Sequence, residues 1–197
     1  MITGKEYGIP EAEMEELCNH IAGATRQHNE RLMKDHFGED FDYGTFRAKT
    51  MNRMDAEIAR DGLDIKPGVK ELFAYLKQNG YRIALATSTA KERASKNLER
   101  AGILDIFDAI VYGGVVPNGK PAPDIYLKAC EDLGVQPQEA IGIEDSINGV
   151  KSSSAAGLYT IMVIDLIRST DEIRPLADQI YDSLFDVIEL LNKGITI

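Results

Sequence analysis

Apolar residues in the first 60 positions recur at the three- and four-residue spacing of helices, and none of these positions forms the apolar run of a buried strand. The pattern predicts one long helix through residues 14–32 and a second through residues 46–58. Gly62 follows the second helix, and glycine commonly ends helices. We therefore expect an all-helical unit over residues 1–65.

From Lys66 onward, short apolar runs alternate with amphipathic stretches. Strands are predicted at residues 82–87, 107–112, 140–143, 158–164 and 179–181, with helices between them. This alternation is typical of a parallel sheet covered by helices on both faces and joined by right-handed crossovers. The predicted fold class is therefore α/β, with a doubly wound, Rossmann-like parallel sheet over residues 66–197.

Polar residues lie where three of these segments end, or in the loops that follow: Thr87 and Ser88, Lys120, and Glu144 with Asp145. The carboxyl ends of parallel strands share one edge of the sheet, so we expect these side chains to converge. Paired carboxylates suit Mg²⁺. Hydroxyls, free backbone N–H groups and a lysine can neutralise a transferring phosphoryl group. The sequence therefore predicts magnesium-assisted phosphoryl chemistry at this edge.

Each of these residues also has an ordinary structural explanation. Asp145 can cap the helix that begins near Ser146, with Glu144 exposed to solvent. Lys120 can be a solvated loop lysine, and Thr87 can be a capping hydroxyl. The occurrence of all three clusters in one order favours a shared site over these separate explanations.

Composition limits the classes of partner and location. The 197 residues carry a formal net charge of −10, which argues against a nucleic-acid partner. The N-terminus lacks the apolar segment of a signal peptide, and no apolar stretch has membrane-spanning length. The two cysteines, Cys18 and Cys130, are far apart and predict reduced thiols. We expect a soluble cytoplasmic protein with no membrane partner.

Three segments resemble motifs of the haloacid dehalogenase superfamily, in particular its β-phosphoglucomutase-like phosphatases with a helical cap. Residues 83–89 resemble the second motif of that family, residues 119–126 the third and residues 142–150 the fourth. The likeness extends over nearly the whole chain. It implies that residues 1–65 form a cap that closes over the substrate and that residues 66–197 form the α/β core.

The resemblance also implies roles for individual residues. Thr87 would hold a phosphoryl oxygen through its hydroxyl, with the Ser88 amide nearby. Lys120 would neutralise the phosphate charge and tether the nucleophile. Glu144 and Asp145 would bind Mg²⁺, the expected cofactor. Among cap residues, Arg47, Lys49 and Arg53 have side chains long enough to reach a substrate, although solvation is their default interpretation.

The first motif of the family, a buried strand that ends in Asp-x-Asp-Gly-Thr and carries the nucleophile, is not found in this sequence. Residues 40–45 resemble this motif only in part, because they contain one extra residue and no buried strand precedes them. We expect Asp42 to be a helix N-cap instead. Without a nucleophile, the chain is expected to be inactive as it stands.

In the resembling fold the absent strand lies in the middle of the sheet. Burial of five apolar side chains at ~1.5–3 kcal/mol each would contribute roughly 10 kcal/mol, which is comparable to the stability of a domain. We therefore expect the gap to be filled or closed. The candidates are the tail at residues 194–197, a strand exchanged with a second copy in a homodimer, and direct pairing of the strands around Ala84 and Ile143.

Two classes of function remain after these steps. The first is a phosphohydrolase of small phosphorylated metabolites, with a β-phosphoglucomutase-type phosphomutase as its variant if an upstream strand exists. The second is a non-catalytic module that keeps a phosphate-binding pocket. The sequence does not identify the substrate.

Overall fold

The structure is a computed structural model that describes residues 2–167 and 170–195. Helices fill its first part, and the first strand begins only at Ala84. The helices are α1 (Ile2–Glu6), α2 (Glu11–Ile21), α3 (Arg26–Phe37) and α4 (Tyr43–Asp61). The helical character of this region is as expected from the sequence, whereas the division into two domains at residue 65 stays a prediction.

The first long helix predicted from the sequence is in fact two helices. Ala22 is extended and Gly23 has a φ of +74°, so the backbone turns between α2 and α3. Thr25 then caps α3, because its hydroxyl accepts a hydrogen bond from the His28 amide at 3.2 Å. The prediction of a continuous helix is wrong, because the spacing of apolar residues does not reveal a glycine turn or the capping residue that follows it.

Asp42 caps α4, as the sequence predicted. Its carboxylate accepts a hydrogen bond from the Thr45 amide at 3.0 Å, and this contact lowers the pKa of Asp42. The helix ends at Gly62, whose φ is +88°. Asp42 therefore has a structural role that explains its place in the sequence.

Strands and helices alternate through the rest of the chain. The elements are α5 (Val69–Gln78), β1 (Ala84–Ala86), α6 (Lys91–Ala101), β2 (Ala109–Val111), α7 (Asp124–Leu133), β3 (Ile141–Glu144), α8 (Ile147–Ala155), β4 (Tyr159–Val163), β5 (Gln179–Tyr181) and α9 (Leu184–Asn192). All strand pairs are parallel, as predicted. Helices α7 and α8 cover one face, and α5 and α9 cover the other.

The strands form two sheets rather than one. Strand β1 pairs with β2, and β3, β4 and β5 pair in that order. In the described part of the chain, no pairing joins β1 to β3, so the expectation that strands around Ala84 and Ile143 pair directly is wrong. Of the proposed tail segment, residues 196 and 197 lie outside the described residues, and Ile195 packs with the cluster around α9.

Helix α7 bridges the two sheets. Its buried side chains, among them Ile125 and Ala129, pack with Val111 of β2 and with Leu158 just before β4. The two sheets are thereby held at fixed positions although their strands do not pair. Between β1 and β3 lies a cleft of about 1850 Å³, which is the setting of the candidate site.

Candidate active site

All five residues predicted to form the site line this cleft: Thr87, Ser88, Lys120, Glu144 and Asp145. The loop between α2 and α3 brings the ends of the two sheets together. Ser88, after β1, donates a hydrogen bond to the Gly23 carbonyl at 2.5 Å. A Cβ atom added to Gly23 would lie 2.3 Å from the hydroxyl oxygen of Ser146, which follows β3. The carboxyl ends of β1 and β3 therefore meet at Gly23.

Thr87 continues β1 for one residue, and its backbone N–H donates to the Val111 carbonyl at 3.0 Å. Its hydroxyl accepts a hydrogen bond from the Thr89 amide at 3.1 Å, so the turn after the strand is held by this side chain. The hydroxyl proton of Thr87 remains available to an acceptor in the cleft. This geometry suits the binding of an anionic oxygen.

Lys120 is buried rather than solvated, with 6% of its surface exposed. Its loop packs closely: a Cβ on Gly119 would lie 2.0 Å from the methyl group of Thr25, so only glycine fits there. Asn118 anchors the start of the loop through hydrogen bonds to the Asp124 carboxylate at the beginning of α7. The ammonium group is thus presented from a fixed backbone.

Glu144 is also buried, which rules out a solvated carboxylate at this position. Its Oε1 accepts hydrogen bonds from the Lys120 ammonium and from the Tyr126 hydroxyl. Its Oε2 faces the Ser146 hydroxyl at 3.4 Å. A Cβ on Gly149 would lie 1.9 Å from this carboxylate, so a glycine in α8 makes room for it.

Tyr126 was not singled out by sequence reasoning. Its hydroxyl donates to Glu144, and its ring centroid lies 5.1 Å from the Lys120 ammonium. Burial raises its pKa well above the usual range, and the neighbouring Glu144 charge adds to the shift. Tyr126 therefore stays a neutral hydrogen-bond donor that positions both charged residues.

Asp145 differs from Glu144 because it is open to solvent in the cleft. Surrounding protein atoms nevertheless raise its pKa, and the adjacent Glu144 charge raises it further. It is not the cap of α8, since Ser146 accepts the capping hydrogen bond from the Gly149 amide at 3.1 Å. Among the described residues, no ion pair or hydrogen bond from another residue holds the Asp145 carboxylate, which stands beside the negative charge of Glu144.

These donors fit a hard divalent cation in part. A cation at Asp145 would offset the burial and the Glu144 charge that raise the pKa of this carboxylate. Oε2 is the Glu144 oxygen with the longer contact, to the Ser146 hydroxyl at 3.4 Å. No group of three or more His, Cys, Asp or Glu side chains with metal-binding geometry occurs within residues 2–167 and 170–195. Phosphate and water oxygens would complete the coordination, as they often do for Mg²⁺.

The cap side of the cleft adds further side chains. Arg47 lines it, whereas Lys49 lies 5.2 Å from the Tyr7 ring centroid and Arg53 pairs with Glu6. Of the three cap residues considered from the sequence, Arg47 is thus the one that faces the site.

No helix among the described residues combines the length and the apolar character that a membrane span requires.

A buried lysine, a hydroxyl and paired carboxylates at the carboxyl edge of a parallel α/β fold are groups chemically suited to a phosphoryl group. The family model of the haloacid dehalogenase-like hydrolases matches residues 2–163. The chain belongs to this family.

Named relatives agree with this assignment. A phosphorylated carbohydrates phosphatase of Thermotoga maritima is 31% identical over 159 residues, which are 81% of this chain and 72% of that protein. CbbY of Cereibacter sphaeroides is 35% identical over 154 residues, 76% of this chain and 66% of that protein. The present chain therefore spans only part of the length of these relatives.

A solved structure shares the fold. The crystal structure of a CbbY mutant from Rhodobacter sphaeroides in complex with xylulose-(1,5)-bisphosphate superposes with a TM-score of 0.74 at 27% identity. The superposition covers 92% of this chain and 84% of that one. Both the helical part and the α/β part are therefore included in the match.

Proposed function

We propose that this chain provides the phosphate- and metal-binding part of a magnesium-dependent phosphohydrolase that acts on small phosphorylated metabolites in the cytoplasm. The observation that carries the proposal is the convergence of Thr87, Lys120 and Asp145 on one cleft. The names of relatives that act on phosphorylated carbohydrates support the substrate class. The bisphosphate sugar held by a related structure supports it further.

Within this proposal, the Thr87 hydroxyl and the Ser88 amide hold phosphoryl oxygens. Lys120 brings positive charge to the same group while its bond to Glu144 keeps it in place. Asp145 and Oε2 of Glu144, which Ser146 contacts at 3.4 Å, would hold Mg²⁺, and the cation would neutralise charge that develops on the phosphoryl oxygens. Arg47 on the cap side is placed to meet a second anionic group of the substrate.

Turnover requires a nucleophile that these residues do not include. Asp42 caps α4 and does not line the cleft, so it is not a candidate. We therefore expect this chain alone to bind phosphate without hydrolysing its esters. Hydrolysis of p-nitrophenyl phosphate that is abolished by Asp42→Ala would overturn this assignment.

The binding test is calorimetric titration of the chain with inorganic phosphate, with and without Mg²⁺. We expect Mg²⁺ to strengthen phosphate binding. In the presence of Mg²⁺, Thr87→Val and Asp145→Asn should each weaken phosphate binding about tenfold or more, which corresponds to ~1.4 kcal/mol. Thr50→Val is the matched control, since Thr50 lines the cap side of the same cleft and its hydroxyl bonds the Phe46 carbonyl. Equal phosphate affinity in all three variants would contradict the proposed site.

A further inference from the structure

The Tyr126 hydroxyl completes a set of hydrogen bonds around one oxygen of Glu144. Oε1 of this carboxylate accepts from the Lys120 ammonium and from the Tyr126 hydroxyl. A carboxylate oxygen has two lone pairs that can accept hydrogen bonds, so both acceptor positions of Oε1 are occupied. A metal ion that approaches Glu144 therefore meets Oε2, which within the described part of the chain contacts only the Ser146 hydroxyl, at 3.4 Å.

These three side chains are held in place by the atoms packed around them. The exposed fractions of Lys120, Tyr126 and Glu144 are 6%, 7% and 9%. The Lys120 ammonium also lies 5.1 Å from the centroid of the Tyr126 ring. Gly149 of α8 packs against the Glu144 carboxylate, because a Cβ there would lie 1.9 Å from Oε2. The carboxylate thus has little freedom to turn and offer both oxygens to one ion.

The number of oxygens that Glu144 offers bears on the choice of metal ion. Ca²⁺ takes more oxygen ligands than Mg²⁺ and often binds both oxygens of one carboxylate. Mg²⁺ is smaller and requires an octahedral set, in which single carboxylate oxygens are combined with phosphate and water oxygens. A glutamate that is held to one oxygen therefore suits Mg²⁺ better than Ca²⁺.

We propose that Tyr126 is a positioning residue that determines the metal selectivity of the cleft. Its hydroxyl and the Lys120 ammonium together occupy Oε1 of Glu144, which restricts this residue to one oxygen and favours Mg²⁺ over Ca²⁺. Tyr126 acts at the metal site of the proposed function, on which this inference rests, but it is not itself a metal ligand. Selectivity of this kind requires no nucleophile and is therefore measurable in the chain as it stands.

The test is calorimetric titration of the full chain with magnesium chloride and, separately, with calcium chloride, for the parent chain and for Tyr126→Phe. Phenylalanine keeps the ring beside the Lys120 ammonium but removes the hydroxyl, which frees one lone pair of Oε1 for a metal ion. We expect the affinity for Ca²⁺ relative to Mg²⁺ to rise about tenfold or more, the size of effect that is common for groups that orient metal ligands.

The ratio of the two affinities distinguishes selectivity from structural damage. A loss of folded protein, or a general loosening of the cleft, lowers both affinities together and leaves their ratio unchanged. Urea unfolding of each variant gives the folded fraction for the titrations. Tyr112→Phe is the matched control, since the Tyr112 hydroxyl lies 3.1 Å from the Ser95 hydroxyl and Tyr112 does not line the cleft. The ratio in this control should equal that of the parent chain.

An unchanged ratio in Tyr126→Phe, with Mg²⁺ still bound, would overturn the selectivity role and leave the metal site of the proposed function intact. Equal shifts in Tyr126→Phe and Tyr112→Phe would have the same consequence, because the effect would then not depend on the contact with Glu144. A parent chain that binds neither ion would contradict the proposed metal site and, with it, this inference.

Discussion

The two sheets differ in burial although their strands are similarly apolar. Strand β4 has a neighbour on each side, and Thr160, Ile161 and Met162 at its centre have no exposed surface. Strand β1 has one neighbour, and all three of its residues are only half-buried. Of these two apolar strands, the one with neighbours on both sides is thus fully buried at its centre, and the one that borders the cleft is half-buried.

This difference in burial also distinguishes the part of the molecule that stabilises the fold from the part that carries the candidate site. Alternate residues of β4 pack into two cores, Ile161 with α5 and α9 and Met162 with α8. The ends of β1 and β3 instead meet the cleft and carry the candidate site. Strand β4 is thus the most buried part of the sheets, and the ends of β1 and β3 border the cleft that carries the candidate site.

The largest expected effect comes from breaking the link between the sheets. Lys120 follows β2 and Glu144 ends β3, so their buried ion pair joins the two sheets. Lys120→Met should lower the free energy of unfolding by ~3–5 kcal/mol, because it leaves a buried carboxylate uncompensated. Urea unfolding followed by circular dichroism measures this loss.

The control for this variant is the double substitution Lys120→Met with Glu144→Gln. Removal of the second charge should restore a substantial part of the lost stability, because no unpaired carboxylate is then buried. If the double variant is no more stable than the single one, the two residues do not act as a pair.

A smaller expected effect compares the packing of the two sheets directly. Ile161→Ala in β4 should cost ~2–5 kcal/mol, since it opens a cavity in a fully packed core. Leu85→Ala in β1 removes the same number of carbon atoms but should cost ~1 kcal/mol or less, because Leu85 already faces the cleft. Equal losses in thermal and urea unfolding would show that β1 is as well packed as β4.

The convergence of the candidate site residues on one cleft could be predicted from the sequence, because each follows a segment whose apolar pattern is clear. Thr87, Lys120 and Asp145 occur in chain order at places where a parallel fold must bring them to one edge. Helix α7, at Asp124–Leu133, lies between the strands predicted at 107–112 and 140–143, as the alternation indicates. Strands β1, β2 and β4 are shorter than predicted, because the apolar pattern continues beyond the residues that find a pairing partner.

The pattern of apolar and polar residues could not predict contacts between distant segments. The turn at Gly23 lies 65 residues from Ser88, with which it bonds, and no spacing rule connects them. Similarly, the Tyr126 hydroxyl of α7 bonds Glu144 of β3, which lies 18 residues further along the chain. Gly23, with the capping residue Thr25 two positions later, was the one local indication that the predicted helix would break there.

The smallest expected effect concerns the amino ends of the strands. Asp108, just before β2, accepts a hydrogen bond from the Ile83 amide at 2.7 Å, and this bond together with Lys77 lowers its pKa. Asp108→Ala should lower the free energy of unfolding by ~1 kcal/mol at pH 7. A lowered pKa stabilises the fold above the ordinary pKa of the carboxyl group, so the difference from the parent chain should shrink as pH falls through the folded-state pKa. Asp105→Ala, an exposed change three residues earlier, is the control; an equal loss there, or a loss independent of pH, would contradict this role.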